Sequence, residues 1–109
     1  MKLIYAVVHS DDGRRVMDEL NNKGFSVTKL YSTGGFLKAG NTTLITGVEE
    51  DKVDEVISII EKKSRSRKEI VNPSMPNNGV GGIMLSYPIE VTVGGATIFV
   101  VDVERFEKV

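Results

Sequence analysis

The spacing of apolar residues between positions 53 and 60 constrains the fold of this chain more than any other feature of its sequence. Apolar side chains recur there at i, i+3, i+4 and i+7, which is the spacing of one face of an α-helix. They are Val53, Val56, Ile57 and Ile60, with Ile59 alongside. A shorter stripe is formed by Val16, Met17 and Leu20, in a segment that stops before Gly24. The sequence therefore predicts two amphipathic helices.

Segments rich in β-branched and aliphatic residues flank these helices and are typical of strands. They are residues 2–8, 25–32 and 42–48. Two further runs, 88–93 and 96–101, are separated by Gly94-Gly95, a spacing that predicts a β-hairpin. The order predicts an α+β fold of the ferredoxin-like type, βαββαβ with a terminal hairpin, in which both helices cover one face of an antiparallel sheet. Because Val, Ile and Leu occur on both parities of the strands, we expect the other face to contact a second copy.

The length and composition favour a single cytoplasmic domain spanning residues 1–109. The chain has no cysteine, which excludes a disulfide framework, a thiol nucleophile and thiolate metal sites. No apolar run is long enough for a signal peptide or a membrane span, so we expect no membrane partner. The net charge of −1 gives no overall field that would collect a nucleic-acid polymer.

Residues 33–43 form a glycine-rich segment between two predicted strands. Gly35 and Gly40 have the spacing of a phosphate-binding loop, but Asn41 occupies the position of the required lysine and no helix follows. The dinucleotide-binding glycine fingerprint is also missing. Two interpretations remain: a pocket in which Phe36 stacks on a base, or an ordinary connection in which Phe36 and Leu37 pack into a core or a subunit interface.

Two other segments require interpretation. Residues 62–68 contain five cations in seven residues and follow the second helix, where cations favour the negative end of the helix dipole. We favour a solvated helix end here over a polyanion site. Residues 73–87 form a long irregular connection rich in Pro, Gly and Asn, and connections of this length are usually functional or disordered.

The residues that could support catalysis do not form a recognisable site, so we expect no enzyme, no catalytic residues, no metal and no cofactor. His9 is alone, without an evident carboxylate and serine partner for a triad. Asp11 and Asp12 suggest an N-cap for the first helix, and the acidic residues 49–51 precede the second helix, so capping explains both groups. A single-stranded RNA binder would need more exposed aromatic residues than Tyr5 in the central strands.

Taken together, these segments resemble the PII-like signal proteins that serve as cyclic-di-AMP receptors in Gram-positive bacteria. The resemblance covers nearly the whole chain. Its most specific parts are Thr-Gly-Gly-Phe-Leu at 33–37 and Val-Gly-Gly-Ala-Thr at 93–97. Other matching segments are 2–4, 27–30, 40–43, 47–48, 87–88 and 90–91.

The resemblance implies a homotrimer of ferredoxin-like subunits, with three ligand sites in the clefts between neighbours. It also implies which positions contact the cyclic dinucleotide. These are Thr28, Gly35, Phe36, Leu37, Asn41 and Gly47. Phe36 and Leu37 would pack against adenine, Asn41 and Thr28 would hydrogen-bond base or phosphate, and the two glycines would let the ligand approach the backbone.

The sequence departs from the family pattern where charge matters most. The family's Asn-Phe-Arg before the second strand is Gly24-Phe25-Ser26 here, so an arginine that pairs with a phosphate is missing. One charge-assisted hydrogen bond contributes about 1.5–3 kcal/mol, so this loss lowers affinity about tenfold to hundredfold if nothing compensates. Lys108 replaces a family glutamine and could restore one positive charge, and residues 72–78 lack the family's Ser-Pro-Met-Gly-Gly run.

Two hypotheses for function follow. In the first, the protein is a non-enzymatic sensor that binds cyclic-di-AMP between subunits and switches the long segment, which a regulated protein then recognises. In the second, it is a trimeric adaptor that has lost cyclic-di-AMP binding and recognises another adenine nucleotide or only a protein partner.

Overall fold

Six strands and two α-helices form the part of the chain that the computed structural model describes, residues 1–30, 40–71 and 88–109. In chain order they are β1 Lys2–His9, α1 Ser10–Asn22, β2 Thr28–Leu30, β3 Asn41–Val48, α2 Val53–Ser64, β4 Arg67–Val71, β5 Ile89–Val93 and β6 Ala96–Asp102. A 3-10 turn, Glu50–Lys52, leads into α2. Neither described helix has the length and apolar character needed to cross a bilayer.

The main sheet contains four antiparallel strands in the order β2-β3-β1-β6. Strands β1 and β3 pair over their whole lengths, from Lys2 opposite Val48 to His9 opposite Asn41. Strand β6 comes after β4 and β5 in the chain, and it pairs with the side of β1 that β3 leaves free. This order, with one helix after β1 and one after β3, is that of a ferredoxin-like fold, and the prediction of that fold is confirmed.

The hydrophobic core lies between the sheet and the two helices. Alternate residues of β1, namely Ile4, Ala6 and Val8, are at most 1% exposed. They pack with the helix stripes, whose buried members are Val16, Leu20, Val56, Ile59 and Ile60. The apolar spacing predicted from the sequence is therefore the spacing that builds the core, because strand residues two apart share a face.

The start of α1 differs from the prediction. The N-cap is His9, whose ring Nδ1 accepts a hydrogen bond from the backbone N–H of Asp11 at 3.2 Å. Asp11 and Asp12 lie one and two residues inside the helix, where their charges still favour the positive end of the dipole. The sequence could not distinguish these registers, because a histidine ring nitrogen can cap in the same way as a carboxylate oxygen.

The predicted hairpin across Gly94-Gly95 is wrong in its pairing. Both runs are strands, but β5 pairs with β4 in a separate two-stranded sheet, and β6 joins the main sheet. Gly94 and Gly95 have φ of +85° and +90°, and the backbone N–H of Gly95 donates to the carbonyl of Ser64 at the end of α2. A Cβ on Gly94 would lie 2.6 Å from the carbonyl oxygen of Arg65. The two glycines therefore carry the chain between two sheets, close against the end of a helix.

A buried carboxylate fixes the two-stranded sheet to the helix layer. Asp12 of α1 is fully buried and accepts hydrogen bonds from Arg15, one turn along the helix, and from Arg67 of β4, at 3.1 Å. Burial alone would raise the pKa of the Asp12 carboxyl, but the two guanidinium groups outweigh it, so the pKa lies below its ordinary value. Asp12 is thus ionised near neutral pH and joins two elements that are 55 residues apart in sequence.

Candidate functional site

The described residues of the predicted ligand site share one face of the main sheet. Thr28 of β2 lies opposite Ile45 of β3, and Asn41 and Gly47 have the same parity as Ile45. The even-numbered residues of β3 instead face the helices; Leu44, for example, is 2% exposed. Thr28, Asn41 and Gly47 are all exposed. We call this side of the sheet, which carries the odd-numbered residues of β1 and β3, the open face.

Gly47 lies where a side chain would fit within this copy of the chain. A Cβ built on it would meet only Leu3 Cδ1 at 3.9 Å and the carbonyl oxygen of Lys2 at 4.0 Å, which are ordinary contacts. Its φ is not in the left-handed region. Glycine inside a strand weakens the strand and often marks the close approach of a ligand or another backbone. Nothing in the described fold of one subunit therefore requires a glycine here.

Asn41 lies at the other end of β3, beside a cavity of about 250 Å³. The cavity is lined by Val7, Val8, His9, Asn41, Gly94, Gly95, Ala96 and Thr97. Asn41 pairs with His9 across the sheet, and β6 begins on the other side of β1. The fold thus joins two separate segments of the sequence, the one that begins the third strand and the Val-Gly-Gly-Ala-Thr block, at one end of the sheet.

The two ends of the open face are well separated. Asn41 and Gly47 are six positions apart along β3, and at the rise of an extended strand this is about 20 Å. Thr28 lies near the Gly47 end, since its partner Ile45 is two residues from Gly47. Within one subunit, the predicted contacts therefore form two groups, with Thr28 and Gly47 in one and Asn41 in the other.

Ser26, which replaces the family arginine, lies at the Gly47 end. Its carbonyl accepts a hydrogen bond from the Thr46 hydroxyl at 2.7 Å, which holds the segment before β2 against β3. Ser26 is exposed, and continuing the β2–β3 register by two residues would bring it opposite Gly47. A longer side chain at this position would have solvent to extend into.

Lys108 lies in the exposed segment that follows β6. Strand β6 ends at Asp102, which receives a hydrogen bond from the Lys2 ammonium, also at the Gly47 end of the sheet. That hydrogen bond raises the pKa of Lys2 and lowers the pKa of Asp102. Lys108 thus comes six residues after a strand end close to Gly47, while Gly35, Phe36 and Leu37 lie outside the described residues.

Two open-face residues were missed by the sequence analysis. Phe99 of β6 is 49% exposed and lies opposite Tyr5, in the same row of the sheet as Thr28. Thr43 has a buried hydroxyl for which no hydrogen-bond partner exists among the described residues, whereas Thr42 points to the opposite face. The parity of the strand residues is the signal that could have identified both. Within the same ranges, no group of three histidine or carboxylate side chains could hold a metal ion.

Comparison with known protein families shows which family the chain belongs to. The model of a family described as "Cyclic-di-AMP receptor" matches residues 1–109. The chain belongs to the cyclic-di-AMP receptor family. The family resemblance recognised in the sequence is therefore confirmed, and with it the broader functional class, a PII-like signalling protein.

Two individual proteins are similar to this chain over much or all of its length. The "Nitrogen fixation nifHD region GlnB-like protein 1" of Methanothermococcus thermolithotrophicus is 35% identical over 77 residues, which cover 59% of this chain and 73% of that protein. A crystal structure of a protein from Pediococcus pentosaceus, described as functionally unknown, superposes with a TM-score of 0.78 at 41% identity. That match covers 99% of this chain and 96% of the other, so the fold is shared over the whole length.

Proposed function

We propose that this member of the cyclic-di-AMP receptor family is a non-enzymatic sensor that binds cyclic-di-AMP in clefts between the subunits of a homotrimer. The observation that carries the proposal is the separation of the predicted contacts into two groups about 20 Å apart along β3. A compact ligand can contact both groups most easily when each group comes from a different, neighbouring copy. One copy would contribute Thr28 and Gly47, and the other would contribute Asn41.

Exposed apolar side chains support the assembly. Strand β6 is an edge of the main sheet, and three of its consecutive residues, Phe99, Val100 and Val101, are 40–49% exposed. A long apolar edge strand left uncovered promotes edge-to-edge association, so native proteins protect such edges. Packing of β6 against a second copy would cover both the edge and the open face.

The switching element in this proposal is the segment 73–87, whose two ends adjoin β4 and β5. Binding of the nucleotide would change which conformation of this segment is populated, and a regulated protein would recognise the difference. A ligand shifts such an equilibrium only by its differential affinity for the two conformations. The ligand must therefore contact this segment or the adjoining ends of β4 and β5, either directly or through residues that it orders.

Ser26 favours a second candidate function, an adaptor of the same fold that has lost cyclic-di-AMP binding. The family's phosphate-pairing arginine is absent from this exposed position, and one such charge-assisted hydrogen bond is worth about 1.5–3 kcal/mol. An adaptor would retain the trimer and the segment 73–87 but would respond to another adenine nucleotide or to a protein alone.

Isothermal titration of the full chain with cyclic-di-AMP, cyclic-di-GMP, ATP and single-stranded RNA separates these candidates. Saturable heat from cyclic-di-AMP but not from cyclic-di-GMP supports the sensor, whereas ATP binding that is clearly tighter than the binding of inorganic triphosphate, used as a reference, supports an adenine-nucleotide adaptor. The absence of heat from all four would refute nucleotide sensing and leave the protein-binding adaptor.

A matched pair of variants then locates the site. Thr28→Ala should weaken cyclic-di-AMP binding by about tenfold, because one polar contact is lost. Thr92→Ala removes another exposed strand threonine, from the two-stranded sheet, and should leave cyclic-di-AMP binding unchanged.

Phe36→Ala should weaken binding and leave the trimer intact, and a monomeric elution of that variant would instead identify Phe36 as an interface residue.

A further inference from the structure

A basic cavity lies on the helix side of the molecule, away from the open face. It has a volume of about 320 Å³ and is lined by Arg15, Lys62, Lys63, Arg65 and Arg67. These side chains come from three places: α1, the last turn of α2 with its C-cap, and the first residue of β4. The sequence alone favoured a solvated helix end for residues 62–68. The fold instead arranges four of the five cations of that segment, with a fifth from another helix, around one concave surface.

Two of the five cations are held in place by a buried group. The fully buried carboxylate of Asp12 binds the guanidinium groups of both Arg15 and Arg67. Both side chains remain partly exposed, at 57% and 36%. An arginine anchored in this way loses less conformational entropy when it binds an anion, because its orientation is already set.

The cavity keeps a positive charge after its own ion pairs are counted. In the part of the chain that the structure describes, three carboxylates contact the five cations: Asp12, Glu19 beside Lys63 at 4.0 Å, and Glu69 beside Arg67 at 3.3 Å. Five positive and three negative groups leave two positive charges. Within residues 1–30, 40–71 and 88–109, the Lys62 ammonium and the Arg65 guanidinium form neither a hydrogen bond nor an ion pair, so these two carry the surplus.

Within the described residues, the Lys62 and Arg65 side chains do not cap the end of α2. The Ser64 hydroxyl donates to the carbonyl of Ile60, the backbone N–H of Gly95 donates to the carbonyl of Ser64, and Arg67 Nη1 donates to the carbonyl of Arg65 at 3.3 Å. Of the carbonyls without a helical partner at this end, that of Ser64 is thus satisfied by a backbone N–H and not by a lysine or arginine. This weakens the explanation that Lys62 and Arg65 serve only the helix dipole.

We propose that this cavity is an anion-binding site for a compact chain of phosphate groups, separate from the nucleotide site on the open face. Several cations at different angles suit an anion with several charged oxygens, and arginine forks match phosphate geometry. Among the described residues, the lining contains no aromatic side chain that could stack on a base. The phosphate chain should therefore be recognised whether or not it carries a nucleoside.

The proposal is tested by titrating the full chain with inorganic triphosphate at low and high salt. We expect saturable binding that weakens steeply as salt increases, because the interaction is between exposed charges. ATP and GTP should bind this cavity within about threefold of inorganic triphosphate, since the base makes no contact. A base preference of more than about tenfold would overturn recognition through phosphate alone.

Two double variants with the same change of charge provide the decisive comparison. Lys62→Ala with Arg65→Ala removes the two unpaired cations and should lower triphosphate affinity at least about tenfold without lowering the melting temperature. Arg14→Ala with Lys23→Ala removes one arginine and one lysine outside the cavity and should change affinity less than about twofold. Equal losses in the two variants, or no triphosphate binding by the unmodified protein, would overturn the site.

Discussion

The two faces of the main sheet are built from the same strands but differ in how completely they are covered. On the face toward the helices, Ile4, Ala6 and Val8 are at most 1% exposed. On the open face, the intervening Leu3, Tyr5 and Val7 of β1 are only half-buried, and Phe99 of β6 is 49% exposed. The covered face is complete within one copy of the chain, whereas the open face leaves apolar and polar groups exposed.

Because of this difference, alternate residues of one strand are expected to affect either the stability of the fold or the binding of a ligand. Residues of β3 that point to the helices contribute to folding, and their neighbours, one position along, are the ones predicted to contact a ligand or another subunit. A substitution at Leu44 and a substitution at Gly47 should therefore have opposite kinds of effect, although the two residues are only three positions apart. The following experiments test that division.

The largest effect is expected from truncating a covered-face residue. Leu44→Ala removes a side chain that is 2% exposed and leaves a cavity, so it should lower the free energy of unfolding by about 2–5 kcal/mol. Val101→Ala, on the open face and 43% exposed, should cost less than about 1 kcal/mol at concentrations where the protein is dissociated. Chemical denaturation followed by circular dichroism measures both.

The Val101 variant also gives a check on assembly. If the open face is covered by another copy, the destabilisation by Val101→Ala should increase with protein concentration, because binding of a partner adds to the stability of the folded state. A Val101→Ala cost equal to that of Leu44→Ala at every concentration would contradict the division between the faces.

The next largest effect concerns the buried charge on the helix side. Asp12→Asn leaves Arg15 and Arg67 without their carboxylate and should cost about 1–3 kcal/mol at neutral pH. Asp11→Asn, at the neighbouring and exposed position, removes a favourable interaction with the helix dipole and a 3.6 Å contact with the His9 ring, and should cost less than about 1 kcal/mol. Similar costs for the two variants would show that Asp12 acts through the dipole and not through its arginines.

The pH dependence gives an independent measure of the Asp12 interaction. Its pKa is lowered in the folded state, so the stabilisation is present above the unfolded pKa of about 3.9 and is lost as the pH falls through the folded value. The free energy of unfolding of the unmodified protein should therefore decrease below about pH 4, and Asp12→Asn should flatten that decrease. A parallel decrease in both proteins would assign the acid sensitivity to other carboxylates such as Asp102.

The covered face was predictable from sequence because apolar spacing determines it directly. The stripe from Val53 to Ile60 and the strand segments were sufficient for the ferredoxin-like order. The pairing of β5 was not predictable, because Gly94-Gly95 is compatible with both a tight hairpin and a passage between two sheets. Positive φ suits either geometry, and only the contact with the end of α2 distinguishes them.

The candidate site was proposed from the resemblance alone and not from local patterns. Thr28, Asn41 and Gly47 are separated in sequence and carry no motif that links them, and their common face emerges only from the strand register. The basic cavity was missed for a related reason. Arg15 lies 47 positions before Lys62, so the composition of residues 62–68 could not reveal that another helix contributes to the same surface.

A third prediction tests whether the open face can regain the family's charge. Ser26→Arg places a guanidinium at the Gly47 end of the sheet and should raise cyclic-di-AMP affinity about tenfold to hundredfold, with little change in the melting temperature. Ser26→Gln, similar in size but uncharged, should gain much less. Equal affinities of the arginine variant and the unmodified protein would mean that Ser26 does not face the phosphates, or that Lys108 already supplies the charge.

Lys108 can be separated from Ser26 by combining substitutions. If Lys108 compensates for the missing arginine, Lys108→Gln alone should weaken binding and Ser26→Arg should restore it in the double variant. If the two positions are independent, their effects on binding free energy should add, as they do for residues that share no partner. Titration of the four proteins completes this double-mutant cycle.

The smallest effect should come from Gly47, and its sign is informative. A methyl group at Gly47 meets no atom of the described subunit closer than 3.9 Å, and alanine restricts the unfolded chain more than glycine does. Gly47→Ala should therefore raise the free energy of unfolding by about 0.5–1 kcal/mol.

If a ligand approaches the backbone at Gly47, the same methyl group should weaken cyclic-di-AMP binding. A variant that is both more stable and unimpaired in binding would mean that the ligand does not approach this position, and a less stable variant would mean that another copy packs against Gly47. If Gly47→Ala raises the free energy of unfolding and lowers the affinity for cyclic-di-AMP, the glycine on the open face is present because of the ligand and not because of the fold.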